Sequence, residues 1–212
     1  MVSIVRVVEG RLSVSGGLSS ARSASVVAMS AALYAVFFFL SGFVAVPSFV
    51  VLYLPVVLLG VFPVWFGLPG LVGSMIGAVV GGVFGVENLG FAAWIEAVTT
   101  FIIFALNWVL MPRNAVEGGR RSFAKLLGVY ALTLFVGTAY VLWQLAFIGV
   151  FPMEFAFLVL LPSTFALNYV IEVVICPVLL RVVSPKLKVW GLYSGNFWEW
   201  RQRRKSRAVA VV

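Results

Sequence analysis

Two apolar stretches of this sequence carry polar side chains at the spacing of a helix face. They are Glu96, Thr100 and Asn107 in the first stretch, and Thr164, Asn168 and Glu172 in the second. Residues four or seven positions apart lie on one side of an α-helix. Polar groups inside a membrane are costly, and they commonly bind ligands, carry protons or join helices. The pattern predicts two helices that share a polar interior, and it leaves open whether these groups bind a solute or only join the helices.

A second set of candidate binding residues combines carboxylates and amides with tryptophans and contains no Lys, Arg or His. Its members are Glu87, Asn88, Trp94, Glu96, Trp143, Gln144 and Glu154. Carboxylates and ring faces suit a cationic or neutral ring-bearing molecule, whereas an anion would meet like charge in a medium of low dielectric constant. We expect a pocket for a neutral or cationic organic solute, with Glu96 as its polar anchor and Trp94 beside it. The alternative is a protonated Glu96 that bonds a neighbouring helix.

The residue inventory excludes several kinds of chemistry. The 212 residues include no His and no Asp, and Cys176 is the one cysteine. Zinc and copper sites built on His, cysteine clusters, and Ser-His or aspartyl proteolytic centres therefore lack their essential residues. We expect a protein that is not an enzyme and that holds no metal or cofactor.

The composition is that of an integral membrane protein. Hydrophobic residues make up 63% of the chain and charged residues 10%, and the mean hydropathy is +1.12. Lys and Arg are absent between Arg22 and Arg113, and again between Lys125 and Arg181. Because a soluble domain needs more charge to cover its surface, these two regions are predicted to lie in the membrane.

The apolar segments predict an all-α bundle of about six transmembrane helices. They cover about 26–46, 49–62, 68–85, 91–111, 126–149 and 155–180. The segment 49–62 is short and contains Pro55, which suggests a kinked or partial span. A tight turn is predicted after it, at Pro63, Gly67, Pro69 and Gly70.

The distribution of basic residues supports six crossings. Basic residues of short loops lie in the cytoplasm, and six crossings place all three basic segments of the chain on one side. The expected organisation is an N-terminal cytoplasmic segment 1–25, a membrane domain 26–180 and a cytoplasmic tail 181–212.

Two ridges of small residues predict close helix packing. Gly73, Gly77, Gly81 and Gly85 recur every four residues inside an apolar run without nearby Lys or Arg. This setting favours helix packing over a phosphate-binding loop. Ala24, Ala28 and Ala32 form a second ridge in the first span. Spacing alone favours internal packing of this ridge over a docking face for another membrane protein.

The C-terminal tail mixes tryptophan with basic residues. It contains Trp190, Trp198 and Trp200 together with Arg201, Arg203, Arg204, Lys205 and Arg207. Directly after a membrane span, such a segment favours contact with anionic lipid headgroups over nucleic acid.

The layout and one local motif resemble the substrate-binding S-components of energy-coupling-factor (ECF) vitamin and micronutrient transporters. The motif is PVVLLGVFPVWFGLPGLVGSMIGAVVGG, residues 55–82, with a proline, an aromatic-glycine turn and a glycine-spaced helix. The first span of that family carries an alanine ridge that docks on a membrane coupling subunit, and ASVVAMSAALYA, residues 24–35, is similar to it. The resemblance implies solute capture in the cell membrane of a prokaryote, with ATPases and a coupling subunit as partners, and it favours docking for the alanine ridge.

Two other functions fit the same sequence. One is a self-sufficient carrier driven by an ion gradient, with Glu96 or Glu172 as the proton carrier. The other is a membrane scaffold or assembly subunit that transports nothing and is anchored to its partners through the basic aromatic tail.

Overall fold

The computed structural model describes residues 20–43, 52–84, 93–113, 115 and 118–210, and over these ranges the chain is helical without strands. The helices are α1 (Ser20–Phe43), α2 (Pro55–Phe84), α3 (Trp94–Leu110), α4 (Arg120–Phe147), α5 (Met153–Val189) and α6 (Phe197–Ala210). Four of them, α1, α2, α4 and α5, are long and apolar enough to cross a membrane, and α3 is a shorter apolar helix. The predicted class, an all-α bundle with membrane-spanning helices, is confirmed at this level.

Several helix boundaries differ from the apolar segments. Helix α1 begins at Ser20, before the predicted boundary at 25, and α5 continues to Val189, beyond the predicted boundary at 180. Both extensions are more polar than the apolar runs, so hydropathy alone does not detect them as parts of the helices. The helix predicted at 49–62 begins at Pro55, since proline is favoured in a first helical turn, where its missing N–H group is no loss.

Helix α2 consists of two legs that fold back on each other at Gly67. This residue has φ 55° and ψ −133°, a conformation that glycine adopts without the strain that a Cβ would cause. A Cβ placed on Gly70 would lie 3.4 Å from the carbonyl oxygen of Phe62. In a straight helix, residues eight apart are about 12 Å apart along the axis. The predicted tight turn is therefore present, and it separates leg α2a (residues 55–66) from leg α2b (residues 68–84).

Leg α2a forms the centre of the bundle, and all of its residues are buried. A helix that is apolar on every side requires neighbours all round. Pro63 has no N–H group, so the carbonyl of Leu59 lacks its usual partner four residues later. The Asn107 side-chain amide of α3 donates to that carbonyl at 3.3 Å, which compensates for the missing bond inside the apolar interior.

Part of the C-terminal segment closes one end of the bundle. The backbone N–H groups of Ser194 and Gly195 donate to the carbonyls of Trp65 and Val64, both at 2.8 Å. These carbonyls end α2a and have no helical partner beyond the Gly67 turn. The Trp108 indole donates to the Gly195 carbonyl at 3.1 Å. The segment predicted to lie on lipid headgroups thus also packs on the protein.

Leg α2b packs against α1 through its glycines. A Cβ on Gly73 or Gly77 would lie 2.5 Å from the carbonyl oxygen of Val27 or Ala31, and a Cβ on Gly81 would lie 2.8 Å from the Phe38 Cβ. The contacts advance together along both helices, so α1 and α2b run parallel and almost touch backbone to backbone. Gly85, the fourth member of the predicted ridge, lies outside the described residues.

The two ends of the bundle differ in charge. We call the end that contains Gly67 and residues 190–210 the tail end, and the opposite end the cavity end. Arg22 lies 3.5 Å from the Cβ position of Gly191, so α1 begins at the tail end. The turn after α3 and the first residues of α4 lie at the same end. The described Lys and Arg side chains therefore lie toward the tail end.

Candidate functional site

A cavity of about 340 Å³ opens between α3, α4 and α5, toward the cavity end. Its walls are mostly aliphatic, and its polar lining consists of Tyr53, Glu96, Thr99, Thr138, Thr164 and Asn168. Gly137 also lines it, together with Phe151, which follows α4. Mostly apolar walls with a few convergent polar groups are the usual form of a small-molecule site.

Glu96 is the charged residue of this lining, and its carboxylate lies in a hydrogen-bond network. The residue is buried, and the Tyr53 hydroxyl donates to its Oε2 at 3.1 Å. Tyr53 in turn shares a short hydrogen bond with the hydroxyl of Tyr34 on α1. The Tyr34 hydroxyl also bonds Thr100 Oγ1 at 2.7 Å. The network fixes the Glu96 carboxylate at the cavity wall while it stays adjacent to the open space.

Two backbone hydrogen bonds attach the segment before α2a to helices α5 and α1. The backbone N–H of Tyr53 donates to Asn168 Oδ1 at 2.8 Å, and that of Leu54 donates to Ser41 Oγ at 2.9 Å. The Asn168 amide group donates to the Thr164 carbonyl at 2.9 Å. Because Tyr53 bonds residues of α1, α3 and α5, it connects three helices at the mouth of the cavity.

The remaining predicted polar residues have different surroundings. Thr100 faces Tyr34 and not the cavity. Asn107 bonds the Leu59 carbonyl and accepts from Thr133 Oγ1 at 3.1 Å, so it joins α2a, α3 and α4. Glu172 is fully buried against α2a and does not line the cavity.

The cavity brings together only part of the predicted solute-binding set. Glu96 lines it, but Trp94, Trp143, Gln144 and Glu154 do not. Trp94 and Trp143 are 45% and 44% exposed. The reason is helical geometry: Trp94 is two residues from Glu96 and so lies on nearly the opposite side of α3. Trp94 and Trp143 thus lie outside this cavity, and their contact with a solute stays a prediction. Glu87 and Asn88 lie outside the described residues.

The sequence analysis missed Tyr34, Tyr53, Thr99 and Thr138. The available signal was the tyrosine hydroxyl, because a tyrosine in an apolar run needs a hydrogen-bond partner once it is buried. Thr99 is three residues after Glu96, and this spacing alone predicts that the two side chains share one side of α3. Tyr53 and Phe151 are the aromatic side chains in the described lining of the cavity.

The backbone next to the cavity departs from the regular α-helix. Helix α5 begins with a single α-helical turn, continues as a π-helix over Ala156–Leu160 and becomes α-helical from Leu161. Pro162 follows directly and removes one N–H donor from the ladder. Leu160, at the end of the π-helix, lines the cavity. Single π-helical turns are frequent at functional sites.

The alanine ridge of α1 lies on the surface. Ala24, Ala28 and Ala32 are all exposed, whereas Val26, Ser30 and Tyr34 on the same helix are buried. The inner side of α1 is thus occupied by α2b, and the alanine ridge is exposed beside this contact.

Within the described ranges, no three His, Cys, Asp or Glu side chains come together in a way that could hold a metal ion.

Comparison with known proteins gives no match. No protein-family model matches the chain, and no curated protein or solved structure shows significant similarity to it.

Proposed function

We propose that this protein is a membrane-embedded substrate-capture subunit for uptake of a small organic solute. The observation that supports the proposal is the cavity between α3, α4 and α5, which has Glu96 in its wall and no basic side chain among the described residues of its lining. Its volume of about 340 Å³ fits the roughly 300–1,000 Å³ of small-molecule sites.

The lining favours a neutral or cationic solute. Glu96, Thr99 and Asn168 offer hydrogen-bond acceptors or hydroxyl groups, and aliphatic side chains form most of the wall. A carboxylate or phosphate group entering the cavity would approach Glu96 without a basic side chain to neutralise it, which is unfavourable in a low-dielectric site. Tyr53 and Phe151 offer ring faces, so a heterocyclic or aromatic solute fits best.

The proposed topology has six crossings of the cell membrane of a prokaryote. The two legs of α2 count as two short crossings, and both termini and the turn after α3 lie in the cytoplasm. The support is the clustering of basic residues toward the tail end, because basic segments stay on the cytoplasmic side. The cavity then opens toward the outside, where a solute to be imported is present.

Cysteines introduced at Arg120 and Ser206 test this topology, since both side chains are exposed at the tail end. In a variant whose buried Cys176 is replaced by Ala, both sites are expected to react with a membrane-impermeant maleimide only from the cytoplasmic side. Labelling of the two sites from opposite sides would contradict six crossings.

The proposed partners are a membrane coupling subunit and ATPases. The chain resembles subunits that depend on such partners, and the alanine ridge of α1 is exposed and free to receive another helix. Small residues allow the close backbone approach on which helix association in lipid depends. The exposed basic side chains Arg201 and Arg203 of α6 are the proposed contact with anionic lipid headgroups.

Replacement of Glu96 by Gln is expected to weaken solute binding about tenfold or more, which corresponds to about 1.4 kcal/mol. The amide keeps the shape but loses the charge and one acceptor position. The measurement is isothermal titration calorimetry with the solute identified by mass spectrometry of the purified protein. Trp94→Ala is the control, because the exposed Trp94 does not line the cavity. Equal affinities of the wild type and Glu96→Gln would exclude Glu96 as the anchor.

Purification from native membranes separates the candidate functions. A stoichiometric solute together with ATPase subunits supports the capture subunit, and protein partners without a solute support the scaffold. A solute without ATPase subunits, with uptake that depends on an ion gradient, supports a self-sufficient carrier. The buried carboxyl group of Glu172 favours the self-sufficient carrier as the second candidate function, because membrane carriers use such groups to move protons.

A further inference from the structure

Glu172 is the carboxyl group among the buried side-chain atoms that lack a hydrogen-bond partner within the described residues, which also include Ser30 Oγ, Ser74 Oγ and Asn196 Nδ2. Its side chain is fully buried, and neither carboxyl oxygen has a hydrogen-bond partner among the described residues. Asn168, one turn earlier on α5, has hydrogen bonds to Tyr53 and Thr164. Asn107 is likewise bonded to α2a and to Thr133. A buried carboxyl group without partners points to a ligand or to a change in its surroundings.

The backbone of leg α2a approaches this carboxyl group closely. A Cβ on Gly60 would lie 3.1 Å from Glu172 Oε1 and 2.6 Å from the Cys176 sulfur. A Cβ at this position would require the thiol or the carboxyl group to shift. The packing of α2a on α5 therefore depends on what occupies the space at Gly60.

The other groups that face Glu172 are already engaged. The Tyr130 hydroxyl of α4 donates to the Gly60 carbonyl at 3.2 Å, and the Cys176 thiol of α5 donates to the Val57 carbonyl at 3.4 Å. These two are the titratable side chains that surround Glu172, and α2a contributes none. The sequence has no Lys or Arg between Lys125 and Arg181, so helices α4 and α5 bring no cation to this depth.

We propose that Glu172 is a proton-binding site and that release of its proton is coupled to separation of α2a from α5. The neutral acid fits the packed arrangement because it carries no charge. In the ionised state the carboxylate has no donor or cation, and a buried unpaired charge is strongly unfavourable. Water must then reach it, and this requires α2a to move away.

The proton transfer has a defined donor and acceptor. The O–H bond of the Glu172 carboxylic acid breaks, its proton passes to a water molecule, and a carboxylate and a hydronium ion result. Asn168 lines the cavity and lies four residues, about 6 Å along the helix axis, from Glu172. The cavity is the proposed route for that water. The proton site does not rest on the identity or the existence of a transported solute.

Thermal unfolding of the full-length protein in nanodiscs, from mildly acidic to mildly alkaline pH, tests the proposal. The melting temperature of the wild type is expected to fall by roughly 3–5 °C per pH unit over the range in which the unfolded chain has lost this proton and the packed state still holds it, and to level off once Glu172 ionises in the packed state. Glu172→Gln, which imitates the neutral acid, is expected to remove this decline. Glu154→Gln is the matched control, since Glu154 is exposed, and it is expected to behave as the wild type.

Infrared spectroscopy provides a second measurement that does not depend on stability. A protonated carboxyl band is expected in the wild type and in Glu96→Gln, and it is expected to disappear as the pH rises. Persistence of the pH-dependent decline in Glu172→Gln would overturn the proposal. So would recovery of wild-type stability at high pH on addition of Na⁺, because the site would then hold a metal cation. If Glu172→Gln does not fold, a wild-type spectrum without the band contradicts the proposal by itself.

Discussion

Gly77→Leu is expected to lower the thermal stability of the protein strongly. A Cβ at this position would lie 2.5 Å from the carbonyl oxygen of Ala31 and 2.7 Å from the Tyr34 Cβ. The nearest atom belongs to helix backbone and cannot rotate away, so α1 and α2b must move apart. Overpacking typically costs about 1–3 kcal/mol, and we expect a loss at or above the top of that range.

The structure offers matched controls for this experiment. Gly128 lies on α4, and no atom lies within 4 Å of its Cβ position, so Gly128→Leu is expected to leave the melting temperature nearly unchanged. Gly81→Ala is expected to have a smaller effect than Gly77→Ala, because Gly81 meets the side chain of Phe38 and not backbone. The measurement is a melting curve in detergent. Equal melting temperatures for Gly77→Leu and the wild type would mean that the two helices do not pack through this ridge.

The glycine spacing predicted a helix contact because close approach of two helix backbones requires glycine at the points of contact. A side chain cannot be accommodated where two helices touch, so the sequence itself records the contact between α2b and another helix. It did not record which helix. The partner α1 contributes Val27, Ala31 and Phe38, which have no spacing that distinguishes them from lipid-facing residues.

The turn at Gly67 was predictable for a similar reason. Proline and glycine restrict or free the backbone locally, and four of them occur between 63 and 70. The start of α2 was less predictable, because Pro55 fits either a kink within a helix or a first helical turn. Hydropathy does not distinguish these two, since the flanking residues are apolar in both cases.

The candidate site was predicted in part. Glu96 was identified because a carboxylate in an apolar run is costly and therefore noticeable. Trp94 and Trp143 were grouped with it because both lie near the expected outer ends of their spans, but rings in an apolar helix are stable against lipid as well as in a pocket. Tyr53 was missed because its role depends on contacts with Tyr34, Glu96 and Asn168, which are distant in sequence. Such contacts arise from tertiary packing and leave no local pattern.

Ala28→Trp is expected to abolish assembly with the proposed coupling subunit and ATPases while the isolated protein stays folded. Ala28 is exposed in the middle of the alanine ridge, which lies beside the α1 residues that meet the α2b glycines and does not include them. An indole there would hold an approaching helix away from the backbone of α1. A clash of only about 1.4 kcal/mol changes the binding equilibrium tenfold, so captured partner is expected to decrease by about tenfold or more.

The measurement is affinity purification from membranes of the native host, with mass spectrometry to quantify ATPase subunits and an apolar coupling subunit. Leu33→Trp is the matched control, because Leu33 is exposed on α1 but lies off the ridge, and it is expected to retain the partners. The melting temperature of each isolated variant reports its fold. Retention of the partners by Ala28→Trp would show that the complex forms elsewhere on the surface. Unfolding of Ala28→Trp alone would mean that the ridge packs within the protein, because an exposed position tolerates a larger side chain with a change of about 0.5 kcal/mol or less.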